Sequence, residues 1–145
     1  MSDRVEASDR VQADVMMSFL ASEELSFRIP VELCYEAHDP YAVRFTFSLP
    51  GDAPVTWVFG RELLIDGISR AAGEGDVRIR PLSEEHLADL LIMLQVGSEQ
   101  ALFRVSAPPL VAFLDRTDRI VPLGQEMSGE GIDAELDKIL ASQTP

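Results

Sequence analysis

Hydrophobic and polar positions along this chain change period several times, and each change marks an element. Val11, Ala13, Val15, Met17 and Phe19 alternate with Gln12, Asp14 and Ser18, the period-2 pattern of a half-buried strand. Leu25, Phe27, Ile29, Val31, Leu33 and Tyr35 repeat it against Ser26, Arg28, Glu32, Cys34 and Glu36. Pro30 lies inside that second strand and lacks a ladder donor, which predicts a bulge or an edge position. Asp39-Pro40 opens a turn, since proline biases the residue before it away from helix. Val43, Phe45 and Phe47 predict a third strand and Val55, Trp57 and Phe59 a fourth, joined by the turn sequence Pro50-Gly51-Asp52.

At Arg61 the spacing becomes helical and runs to about Ser69, with Leu64 and Ile68 buried and Leu63 at their flank. Gly73-Glu74-Gly75-Asp76 turns the chain into a strand at Val77–Arg80. Leu87 to Val96 is apolar on both faces, which predicts a central strand or one lying against another subunit, with a helix as the rival. Ala101, Phe103 and Val105 form a seventh strand. A second helix begins near Ser106, with Pro108 and Pro109 suited to its first turn and Leu110, Phe113 and Leu114 as its buried stripe. The expected class is α+β, with antiparallel sheets of about seven strands in a ββββα near-repeat that is one strand short in its second half.

The chain reads as a single domain over 1–145 with a flexible tail at 1–10. Glycine and serine breaks make 123–131 a linker, beyond which Ile132, Leu136, Ile139 and Leu140 fall at helical spacing. That amphipathic helix either docks on its own core or lies in a partner's groove, with Asp133, Glu135 and Asp137 favouring a basic partner.

Charge narrows the function classes. Twelve basic against 25 acidic residues give a net charge of −13. Nucleic-acid binding draws most of its affinity from Lys and Arg on phosphates, and this field opposes it, as it opposes docking on anionic lipid. Lys138 is the only lysine, so nearly every cation is an arginine, the residue suited to bidentate carboxylate pairing. The first residues carry charge and no apolar stretch, and Leu87 to Val96 is too short to span a bilayer. A cytoplasmic protein without direct membrane insertion is expected.

Candidate chemistry is sparse. Cys34 is the one cysteine, excluding an internal disulfide or a cysteine-based zinc site, and its position places it on the polar face of its strand. His38 and His86 lack metal-ligand spacing and read as surface residues. Gly73-Glu74-Gly75 would repel phosphate and is a turn. Glu84-Glu85, Asp115 and Glu126 could supply paired carboxylates, but a solvated acidic face explains them equally. Arg44, Arg78, Arg80 and Arg104 fall on the polar sides of their strands, opposite Phe45, Phe47, Trp57, Phe59 and Phe103. Pairing with acidic neighbours suits them better than stacking bases. No catalytic, cofactor or metal site is expected.

Several words of the sequence, in their order, resemble the SsgA-like proteins of sporulating actinomycetes. They are Asp39-Pro40-Tyr41-Ala42-Val43, Trp57-Val58-Phe59 running into Arg61-Glu62-Leu63-Leu64, and Gly75-Asp76-Val77. Phe113-Leu114-Asp115-Arg116-Thr117 and Val121-Pro122-Leu123-Gly124-Gln125-Glu126 also match. Gly60 and Gly97-Ser98 depart from the pattern. The resemblance implies a non-enzymatic adaptor in sporulation-specific cell division, located at the septum. It would help bring the tubulin-like protein FtsZ to septum sites together with a related SsgA-like protein. It also implies a whirly-like fold assembled as a homo-oligomer, a trimer for preference. The alternative is a single-stranded nucleic-acid binder on the same fold.

Overall fold

A computed structural model describes residues 9–128 except 84, 86 and 87. The strands are β1 (Arg10–Leu20), β2 (Ser26–Glu36), β3 (Ala42–Phe47), β4 (Val55–Gly60), β5 (Val77–Pro81), β6 (Asp89–Val96) and β7 (Glu99–Ser106). Helix α1 (Arg61–Ser69) follows β4, α2 (Ala107–Ile120) follows β7, and a 3-10 turn covers Glu126–Ser128. All strand pairings are antiparallel, in one seven-stranded sheet of order β4-β3-β2-β1-β7-β6-β5. The ββββα-βββα order read from the sequence is therefore the order of the chain, and β6 is a strand rather than a helix.

The sheet curls, and its side chains show by how much. β3 and β7 stand three strand positions apart, about 14 Å in a flat sheet. Yet the Phe47 and Phe103 rings lie 4.6 Å apart across the concave face. Helix α1 gives the same result, since it leaves β4 at one edge and packs on β5 at the other. The concave face holds Val15, Met17, Ile29, Leu33, Phe45, Ile79, Ile92 and Phe103, with Leu64 of α1 and Leu110 and Phe113 of α2 closing it. One inner row runs Phe27, Phe19, Phe103, Ile92, Ile79 across five strands in register. Phe27 at its end is exposed and Phe19 half-buried; full burial, as at Phe103, Ile92 and Ile79, contributes about 1.5–3 kcal/mol per side chain.

Pro30 resolves without a bulge. β1 and β2 pair one-to-one from Arg10↔Glu36 to Leu20↔Ser26. β3 pairs only with Val31 to Cys34, and the Ser48 amide donates to the Pro30 carbonyl at 3.3 Å. In a strand a residue's N–H and C=O point the same way. The donor missing at Pro30 thus faces the side where β3 has already ended, a local edge.

Two expectations about faces change. Cys34 does lie opposite the core, but it is buried, between register partners Gln12 and Arg44. Leu91, the outward residue that made β6 apolar on both faces, is flanked in register by Arg80 and Arg104 and is only 7% exposed within the single chain. Arginine stems cover apolar surface while their heads stay wet. Its burial needs no second subunit.

Helix α1 lies close to β5 because Gly67 lets it. A Cβ there would meet Ile79 Cβ and Cγ2 at 2.5 Å. Gly73, at φ +96°, stands where a Cβ would run into the Val77 carbonyl. Gly75, the glycine singled out by motif, has open space around it. Helix propensity favours Ala over Gly by about 1 kcal/mol, so Gly67→Ala tests which effect wins. Gly67→Ala is expected to lower stability by about 1–3 kcal/mol, as overpacking does. Gly75→Ala should stay within about 0.5 kcal/mol of wild type. Urea unfolding of both variants checks the pair.

Candidate functional site

Four of the sequence words set apart above meet at one buried point, and Arg61 is its centre. Its side chain lies at i−3 from Leu64 and i−7 from Ile68, the spacing that turns it onto the buried face of α1. It is 0% exposed. Nη2 donates to Glu126 Oε2 at 2.6 Å, and Nη1 to the Val121 carbonyl at 2.8 Å and Thr117 Oγ1 at 3.3 Å. The guanidinium sits over the Tyr35 ring, 4.8 Å from its centroid, a cation–π contact. Nε–H has no acceptor among the described residues.

The surrounding groups are fastened in turn. Thr117 Oγ1 donates to the Leu114 carbonyl at 2.7 Å, one turn back in α2. The Tyr35 hydroxyl donates to the Pro40 carbonyl at 2.9 Å, and the Arg61 amide donates to the Tyr41 carbonyl at 2.7 Å. The Asp39-Pro40-Tyr41 turn is thereby tied both to β2 and to the start of α1. Asp39 also accepts from Arg44 Nη2 at 3.1 Å. Tyr41 itself is 52% exposed. Trp57 is half-buried on edge strand β4, opposite Phe45 in register. Asp76 lies apart from this cluster, its carbonyl accepting from the Gln95 amide at 2.8 Å where β5 begins.

Electrostatics follow from burial. Burial alone would push the Glu126 carboxyl up, but the Arg61 hydrogen bond and charge, with hydrogen bonds from the backbone, hold it below the usual carboxylate range. Burial pushes the Tyr35 hydroxyl up to about 12, against the opposing pull of Arg61. Glu126 is therefore no member of a solvated acidic face. The linker reading of 123–131 begins in a segment that the core holds, through Glu126 and through the Leu123 amide on Asp118 Oδ1 at 2.8 Å.

The cluster can do little chemistry. Its one carboxylate is neutralised, its tyrosine is held neutral, and no nucleophile with a base stands beside it. His38 is exposed and lies 3.1 Å from Glu36. His86 and the stripe Ile132, Leu136, Ile139 and Leu140 lie outside the described residues. Among the described residues no three His, Cys, Asp or Glu side chains converge on a possible metal position, and no helix is long and apolar enough to cross a membrane.

Two members of the cluster were legible only as pattern. Thr117 continues the stripe of Leu110, Phe113 and Leu114 at i+3 and i+4, and Arg61 continues that of Leu64 and Ile68. A polar residue in register with an apolar stripe signals a buried polar contact. Nothing local marks Glu126 as the partner.

Removing one side of this pair should cost much more than a surface ion pair. Arg61→Ala empties a fully buried site and leaves the partly buried Glu126 carboxylate unpaired, and a loss of about 3 kcal/mol is expected. Glu126→Gln should also destabilise, and a double-mutant cycle in urea should show coupling above about 1 kcal/mol. The depressed Glu126 pKa gives a sign to the pH dependence. Its stabilisation is complete above the unfolded-state value of about 4.3 and is lost as the pH falls through the folded value. Glu126→Gln should be less stable at neutral pH, yet lose less stability than wild type between about pH 5 and pH 2. Thermal melts across that range check it.

Comparison with known proteins places these words in context. The family model described as Streptomyces sporulation and cell division protein, SsgA, matches residues 29–126, a span that includes the whole cluster. The sporulation-specific cell division protein SsgB of Streptomyces coelicolor is 38% identical over 131 residues, covering 90% of this chain and 96% of that protein. The SsgB protein of Frankia casuarinae is 34% identical over 128 residues, covering 88% and 90%. The crystal structure of an SsgA-like sporulation-specific cell division protein from Thermobifida fusca superposes with a TM-score of 0.79 at 38% identity, covering 91% of this chain and 97% of that one.

Proposed function

The chain belongs to the SsgA family of sporulation and cell division proteins, and from that premise we propose that it is a non-enzymatic adaptor. Its place is in sporulation-specific cell division. It helps recruit or hold the tubulin-like protein FtsZ at the septum, acting with a related SsgA-like protein and as a homo-oligomer, a trimer for preference. The observation that supports an adaptor over an enzyme is where the family-specific words go. Arg61, Thr117, Val121 and Glu126 meet in a buried cluster that fastens α1, α2 and the segment after it to the sheet. What remains outside among the described residues is surface for protein contact: the exposed Tyr41 turn and edge strand β4 with exposed Val55 and Val58. The sequence adds the stripe Ile132, Leu136, Ile139 and Leu140 as a candidate contact. The single-stranded nucleic-acid reading finds less support. Phe45, Phe47, Phe59 and Phe103 are packed into the core rather than offered for stacking.

Cosedimentation of the purified full chain with FtsZ polymer is the direct test. Saturable pelleting is expected, together with weakening by Leu136→Asp/Leu140→Asp at little change in melting temperature. A chain carrying His38→Ala, His86→Ala and Cys34→Ala should localise to septa and support division as wild type does. Absence of pelleting removes FtsZ as the direct partner, and loss of function in the folded triple variant removes the non-enzymatic reading.

A further inference from the structure

The sheet is weakest at one seam, and that seam carries an arginine, Arg28, without an ion pair among the described residues. β1 has a full-length partner in β2, but only Ser18 and Phe19 pair with β7. β7 runs on only through Val105 and Ser106 before the chain turns into α2, and no strand pairs with this edge of β1 on the N-terminal side of Ser18. Arg116 Nη1 donates to the Gln12 carbonyl at 2.9 Å and closes the far end. Between them, Ala13 to Met17 have no paired strand on this side, while α2 packs against β1 from the concave face. A groove of about 600 Å³ opens there on the convex face, lined by Asp14, Met16, Ser18, Arg28, Arg104 and Ser106 among others.

Charge at the groove is ordered along its length. In one register row Ser18 stands between Arg28 and Arg104, about 4.8 Å from each strand axis. Arg104 pairs with Asp89 at 2.7 Å and keeps 48% of its side chain exposed. Arg28 is exposed and forms no ion pair among the described residues, in a chain with 25 acidic residues to draw on. At the other end Asp14 and Glu32 are register partners, both exposed. Asp89 also lines the first end but is taken up by Arg104, so Arg28 makes that end the favourable one for a carboxylate, while Asp14 and Glu32 disfavour one at the other.

We propose that this seam is a docking site for an extended acidic segment of a partner protein, laid along β1 as an added strand with its carboxylates at Arg28 and Arg104. Strand addition supplies main-chain hydrogen bonds from an open edge, and alternate side chains supply the specificity. Like charges directly opposite one another are unfavourable in a sheet, so the segment is acidic at the Ser18 end and neutral or basic beside Asp14 and Glu32. A nucleic-acid strand fits less well. In the row next to Ser18, which crosses this seam, the aromatic rings Phe27, Phe19 and Phe103 point to the concave face, leaving arginine without stacking partners on the convex one. The partner class rests on the adaptor reading above; the site itself rests on the seam.

The probe is a fluorescein-labelled, end-capped peptide Glu-Val-Glu-Val-Thr-Val-Lys, titrated into the full chain at low salt. Saturable polarisation is expected, with slowed amide hydrogen exchange at Ala13 to Met17. Arg28→Glu and Arg104→Gln should each weaken binding about tenfold or more, the loss of one charge-assisted hydrogen bond. Arg78→Glu, elsewhere on the convex face, should leave it unchanged. Equal binding of the peptide with both Glu replaced by Gln, binding indifferent to Arg28→Glu, or no protection of the β1 edge would each overturn the proposal. So would an oligothymidine that occupies the same residues more tightly than the peptide. FtsZ takes no part in this titration. Failure here leaves the adaptor reading standing, and failure to pellet with FtsZ while the peptide binds counts only against FtsZ as the partner.

Discussion

Everything at one end of this molecule depends on a single buried arginine. Arg61 carries a full charge into a site from which water is excluded, and the desolvation this costs is offset only if its donors are met. Glu126, Val121 and Thr117 meet Nη1 and Nη2 from α2 and the segment beyond it, Tyr35 supplies a π face from β2, and Nε–H alone has no acceptor among the described residues. A buried pair of this kind stabilises little compared with an apolar packing of equal volume, but it is unforgiving of misplacement. Through Arg61 and Tyr35, α1, α2, the Asp39-Pro40-Tyr41 turn and the chain through Glu126 are fastened to one another.

The same economy separates the two faces of the sheet. Curling brings Phe47 to Phe103 and lets two short helices close the concave side, so nearly all aromatic mass is committed to the core. Arginines take the convex side, where their stems shelter outward apolar residues such as Leu91. The convex face is then the less acidic surface of an acidic protein. Curling also has a cost at the β1–β7 seam, where pairing falls to two residues. A place where the sheet is least complete is where another chain can complete it.

The interior is closely specified while the β4 edge, the turn and the seam are left open, which suits the adaptor role proposed above. The exposed Tyr41 exemplifies this. Its backbone is pinned by the Arg61 amide, so its side chain is presented from a fixed support.

By itself the sequence determined the elements and their order. Period-2 alternation, proline and glycine turns and the i, i+3, i+4 stripes are local properties, set by which side of a strand or helix each residue can face. The seven strands, both helices and the inward set of aromatics were legible on that basis, as was the strand at 89–96. The words Arg61-Glu62-Leu63-Leu64 and Val121 to Glu126 were visible too, but not that they touch. Arg61 and Glu126 are 65 positions apart, and a carboxylate in a glycine-containing loop looks solvated until the fold brings a guanidinium to it. Only tertiary structure decided that pairing, the burial of Cys34 between neighbouring strands, and the row that aligns Arg28, Ser18 and Arg104. Each depends on strand order and register, which are settled by the packing of the whole sheet around its core, and no local pattern encodes them.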